Sequence, residues 1–121
     1  MKTKKEKKQH EFKKQFLEFL MKTVRPIIQK LIAEIVSNKH QVEIMDFSYY
    51  FDESYKISIK NTRKYFKMVV SGNHVEQMIY ILTEYDTETE KNERITKHKL
   101  SEIDSGLIGD IFMDGFRKIS Q

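Results

Sequence analysis

The residues best placed to do chemistry are cations and rings in KISIKNTRKYFKMVV, residues 56–70. A strand sends every second side chain to one face. Folded as a hairpin about Asn61-Thr62, the segment sets Lys56, Lys60, Arg63 and Lys67 on a single face, with Tyr65 among them. Such cations can follow a phosphate backbone while rings stack on bases, worth about 1–3 kcal/mol per base. The next strand continues the same face with Met78, Tyr80 and Leu82, and the preceding strand adds Tyr50. Contiguous apolar and tyrosine surface is instead the composition of a protein contact. An antiparallel sheet also leaves one face in water, with lysines there discouraging edge pairing. With Met78, Tyr80 and Leu82 on it, the face reads as a protein-binding surface (Tyr50, Tyr65, Met78, Tyr80, Leu82) with a basic rim. Single-stranded nucleic acid is the alternative ligand, since no named nucleic-acid motif accompanies the lysines.

Lys2, Lys4, Lys5, Lys7, Lys8, Lys13 and Lys14 form a second basic cluster. Lysines at a helix N-terminus oppose the macrodipole, so they are not there to stabilise a helix. A solubilising lead-in is the first reading. In the nucleic-acid alternative, Lys4, Lys5, Lys7 and Lys8 join Lys56, Lys60, Arg63 and Lys67 on phosphates. An anionic lipid surface ranks last, and membrane binding is not expected.

Other chemistry is thin. There is no cysteine, which excludes thiolate catalysis and disulfides. Histidines 10, 40, 74 and 98 are far apart and read as lone surface groups. Glu84, Asp86, Glu88 and Glu90 match no calcium-loop spacing. No phosphate-binding glycine loop or nucleophile elbow occurs. The expectation is a protein that is not an enzyme, with no cofactor and no metal.

The elements that must hold these residues follow from hydrophobic periodicity. The 121 residues are 39% apolar and 33% charged, with a net charge of +4. The charge is polarised: residues 1–40 hold 11 Lys and Arg against 4 Glu, while residues 76–121 hold 6 against 10 Asp and Glu. Residues 1–8 form a flexible lead-in and residues 9–121 one domain. Phe12, Phe16, Leu20, Val24, Ile28, Leu31 and Ile35 make one helical stripe from about Gln9. Pro26 predicts a kink, or two helices meeting near Thr23–Arg25, with the second the more buried.

Four strands follow: VEIMDFSYYF, YKISIK, RKYFKMVV and VEQMIYILTEY. A three-residue loop at 52–54 (DES) puts Phe47, Tyr49 and Phe51 with Tyr55, Ile57 and Ile59 on the core face. A two-residue turn at Gly72-Asn73 brings Val75, Ile79 and Ile81 to that face. Residues 86–93 (DTETEKNE) form an exposed loop, and RITKHKL can add a short fifth strand. Ser101 with Asp104 suggests a capping box opening a helix over 102–119. The fold class is therefore α+β: an antiparallel meander of four or five strands, flanked by a long proline-kinked N-terminal helix and a C-terminal helix.

Function follows as an expectation. The chain reads as a small interaction protein that binds a protein partner or itself, a homodimer being the expected assembly. Lysine outnumbers arginine 18 to 4 and alanine occurs once, a bias of AT-rich coding that suits a phage or mobile element acting on a host factor. Without a secretory signal pattern or a membrane-length apolar run, the expected location is cytoplasmic.

Overall fold

The computed structural model describes residues 3–47 and 52–120. Thr3 opens the first helix, its hydroxyl accepting the Glu6 N–H at 3.1 Å. Helix α1 (Lys4–Phe19) passes through a π turn (Leu20–Val24) into α2 (Arg25–Ile35). Lys4, Lys5, Lys7 and Lys8 are thus helical residues, not a lead-in ahead of a helix starting near Gln9.

Phe12, Phe16, Leu20, Val24 and Ile28 are all buried, at a strict spacing of four. On an ideal α-helix that spacing drifts about 40° per step. The wider π turn takes part of the drift back and keeps the stripe on the core. It also receives Pro26. The Arg25 N–H donates to the Leu20 carbonyl, five residues back, and Arg25 stays helical at φ −57° and ψ −49°. The break expected at the proline is a widened turn rather than a gap. The first half is the more buried one: α2 fully buries only Ile28.

Five strands follow: β1 (His40–Phe47), β2 (Asp52–Ile59), β3 (Tyr65–Asn73), β4 (Met78–Asp86) and β5 (Lys91–His98). They form an antiparallel meander in chain order. A 3₁₀ turn (Leu100–Glu102) leads to α3 (Ser105–Ile119), capped by the Asp104 carboxylate, which accepts the Leu107 N–H at 2.9 Å. Asp104 is therefore the cap itself and not the third residue of a box begun by Ser101.

Of three expected turns, one keeps its register and two do not. The β2–β3 pairing sets Ser58 opposite Tyr65, the register that a turn at Asn61-Thr62 requires. The β3–β4 turn is displaced. Asn73 pairs with Met78, and residues 74–77 make the turn, with Gln77 at a φ of 57°. The Asn73 side chain accepts the Val75 and Glu76 N–H groups. Gly72 stays inside β3, where a Cβ would come within 2.5 Å of the Phe16 ring. Its glycine answers to helix packing, not to a turn. Val75 is exposed in the turn, not in the core.

Residues 52–54 belong to β2, not to a loop, and the register sets Val42 opposite Ile57 and Ile44 opposite Tyr55. That is an odd-numbered slip from the expected pairing, so the alternation of β1 is inverted. Tyr49, Tyr50 and Phe51 lie outside the described residues. Residues 91–93, expected in a loop, open β5.

All three helices lie on one face of the sheet. The core there joins Phe16, Leu20 and Ile28 to Tyr55, Ile57, Phe66, Met68, Val70, Ile79 and Ile81, with Ile108, Phe112 and Ile119 from α3. Phe66 and Phe112 meet edge to face at 5.6 Å. Gly115 seats α3 on Phe66, since a Cβ there would fall 1.9 Å from the ring. His40 is not a surface histidine: it is 8% exposed and lies 5.4 Å from the Phe116 ring.

The inner face also holds one buried ionic group. Arg25 Nε donates to both Glu53 carboxylate oxygens, at 3.0 and 2.8 Å, and the Tyr55 hydroxyl donates to the same carboxylate. The Glu53 side chain is 2% exposed and that of Arg25 28%. This cluster ties the helical segment at Pro26 to the second strand.

Candidate functional site

The helix-free outer face is built by alternation along the five strands, and the register arranges it in rows. One row crosses the sheet as Met45, Ser54, Val69, Leu82 and Ile95. Four of the five are apolar. Met45 is 49% and Ile95 58% exposed at the two edges, while Val69 and Leu82 are half-buried between them. On one side runs a charged row of Glu43, Lys56, Lys67, Glu84 and Glu93. On the other side Asp52, Ser71, Tyr80 and Lys97 are aligned.

Tyr65, Met78, Tyr80 and Leu82 do share this face, but they do not form one cluster. Tyr65 pairs with Asp86, six residues along β4 from Tyr80. At about 3.4 Å per residue the two rings are roughly 20 Å apart along the strand. The turn at Gly72-Asn73 would have set them side by side. Tyr50 lies outside the described residues.

Each tyrosine is fixed by charged neighbours. The Tyr65 hydroxyl donates to Glu84 at 2.6 Å, and Lys56 Nζ stands 4.7 Å above its ring. The hydrogen bond to Glu84, burial and nearby carboxylates push the Tyr65 phenol up to about 12. The Tyr80 hydroxyl donates to Glu76 at 2.7 Å, and Lys97 Nζ lies 5.5 Å from its ring. Hydrogen bonds from Lys97 and Tyr80 hold the Glu76 carboxyl below its usual range, and Glu76 raises the Lys97 ammonium in return. A depression of about 290 Å³ opens beside Tyr65, between Lys56, Lys67 and Glu84.

The basic residues are dispersed. Lys56 and Lys67 are adjacent in one row but stand between Glu43 and Glu84. Lys60 and Arg63 belong to the β2–β3 loop, where the Arg63 backbone N–H donates to Glu88 at 2.7 Å. Lys4, Lys5, Lys7 and Lys8 ride on α1, on the opposite side of the sheet.

Comparison of the chain with family models, curated proteins and solved structures returned no match. The function therefore has to be read from the surface itself. Among the described residues there is no group of three or more acidic or histidine side chains placed to hold a metal ion. No described helix is long and apolar enough to cross a membrane.

Met45 and Ile95 are the members of the apolar row that the periodicity did not bring forward. Ile95 is the one apolar residue among the residues of β5, and a lone apolar residue at an outward strand position was its signal. The expected pairing of β1 is offset from the observed one by seven positions, an odd number, and its alternation would turn Met45 to the core face.

Proposed function

We propose that this chain is a non-enzymatic binding protein that docks a protein through the outer face of its sheet, with a second copy of itself as the occupant. The observation that carries this is the apolar row Met45, Val69, Leu82 and Ile95, which crosses the whole sheet and ends in exposed side chains at both edges. Tyr80 and Met78 extend it on β4. Contiguous apolar surface rimmed by charge is the anatomy of a contact.

Charge complementarity favours self-association. A two-fold axis along the apolar row would lay each strand over its own copy. Lys56 of one copy would then face Asp52 of the other, and Glu93 would face Lys97, while Leu82 and Val69 meet their equivalents. Such isologous contacts are the commonest form of soluble oligomer.

Single-stranded nucleic acid has less support on this face. Its two central lysines are flanked by carboxylates in the same row, and the α1 lysines cannot reach the same strand of phosphates. A phage or mobile-element origin and a cytoplasmic setting are compatible with this reading and rest on composition alone.

Sedimentation velocity over a wide concentration range tests the proposal. The chain should sediment as a dimer, and Leu82→Lys should give a monomer with an unchanged circular dichroism spectrum. A parent protein that stays monomeric at the highest concentration would rule out self-docking. Retardation of a single-stranded oligonucleotide, lost in Lys56→Glu, would favour the nucleic-acid alternative.

A further inference from the structure

On the inner face, α3 covers β3 and stops short of β5. The inward positions of β5 are Asn92, Arg94, Thr96 and His98, opposite Tyr85, Thr83, Ile81 and Ile79 of β4. All four are polar, whereas the inward residues Tyr55, Ile57, Phe66, Met68 and Val70 of β2 and β3 are buried and almost wholly apolar. Between β5 and α3 lies an open cleft of about 660 Å³. That is within the range of about 300–1,000 Å³ usual for small-molecule sites.

The charge of this cleft runs against its surroundings. Residues 76–121 carry six Lys and Arg and ten Asp and Glu. Three of those cations, Arg94, Arg117 and Lys118, line the cleft, with Asp114 alone of the carboxylates. Asp114 is taken up by Arg117, at 3.0 Å. Lys118 Nζ stands 5.8 Å from the Tyr85 ring. Arg94 forms no hydrogen bond or ion pair with any described residue. Leu107 and Ile111 of α3 supply an apolar wall.

We propose that this cleft binds a small organic anion, its acid head on Arg94 and Lys118 and its apolar body against Leu107, Ile111 and the Tyr85 ring. A guanidinium fork matches the two oxygens of a carboxylate or phosphate, and an unpaired one is free to do so. The site lies on the inner side of the sheet and is independent of the docking face.

Amide NMR spectra of the whole chain titrated with octanoate, and separately with octylammonium, test this. Octanoate should shift the amides of 92–98 and 111–118 saturably, and octylammonium should not. Arg94→Glu and Lys118→Glu should each weaken octanoate at least about tenfold, the equivalent of one charge-assisted contact. Lys56→Glu, on the outer face, should leave binding unchanged. The proposal is overturned if octanoate leaves those amides unmoved, if octylammonium binds equally well, or if both charge reversals bind like the parent. An inward Arg94 whose task is only to deter edge pairing would give that last result.

Discussion

At the β2 end of the inner face, Arg25 reaches a carboxylate that is almost sealed from water and shares it with the Tyr55 hydroxyl. At the β5 end, Arg94 lies on the same face of the same sheet, exposed and without a partner among the described residues. The side chains are chemically identical. What separates them is helical cover. Where α1 and α2 close over the sheet, an inward charge must be paired, because an isolated buried ion costs several kcal/mol. Where α3 stops, the same group stays solvated and available. One arginine fastens the fold, and the other is offered to a ligand.

Removing Glu53 should have the largest effect. Glu53→Leu removes the carboxylate shared by the Arg25 guanidinium and the Tyr55 hydroxyl, and should cost about 3 kcal/mol, the low end for a broken buried pair because Arg25 keeps some contact with water. Urea unfolding measures it. A loss under about 1 kcal/mol would mean the pair is not the fastening described, and the contrast between the two arginines would collapse.

A smaller effect is expected at His40, another inward polar group, at the start of β1. Burial, with Lys39 nearby, lowers its imidazole from the ordinary value of 6.5. As pH falls through 6.5 the unfolded chain takes up a proton before the folded chain does. The stability associated with neutral His40 is therefore complete above 6.5 and lost progressively below it. Melting temperatures should fall over that window more for the parent than for His40→Gln. Parallel pH profiles would show that the helical cover over β1 is looser than the contact with Phe116 implies.

The smallest effect sharpens the comparison most. Arg94→Ala should change stability by no more than about 0.5 kcal/mol, as expected for an exposed side chain without partners. A loss comparable to that of Glu53→Leu would show Arg94 to be structural and remove it from the cleft's chemistry.

Much of the architecture was legible in the sequence, and the places where it was not share a cause. The stripe from Phe12 to Ile28 and the alternation of β2 and β3 report burial directly, so the α+β class and the β2–β3 register could be read. The β3–β4 register could not. Gly72 signals a turn by type, but the Phe16 ring pressing on it is a contact between distant segments. The slip was an even number of positions, so Ile79 and Ile81 kept their face while Tyr65 and Tyr80 were driven apart. At β1 the slip was odd, which inverted the strand. The cleft was illegible for a related reason. Asn92, Arg94, Thr96 and His98 are no more polar than their outward neighbours Glu93 and Lys97, so no alternation marks them, and only the length and placement of α3 reveal that their side of the sheet is both inward and uncovered.

The π turn at Leu20–Val24 carries a consequence for how this chain can change length. A π turn winds about 100° less than the same residues would in an α-helix, roughly the rotation of one residue. Deleting one residue there would therefore restore a regular helix and leave Phe12 and Phe16 facing the sheet together with Ile28. Inserting one instead would swing Phe12 and Phe16 about 100° off the sheet. The segment should thus tolerate a single deletion far better than a single insertion, so its residue count is a constraint separate from its residue types.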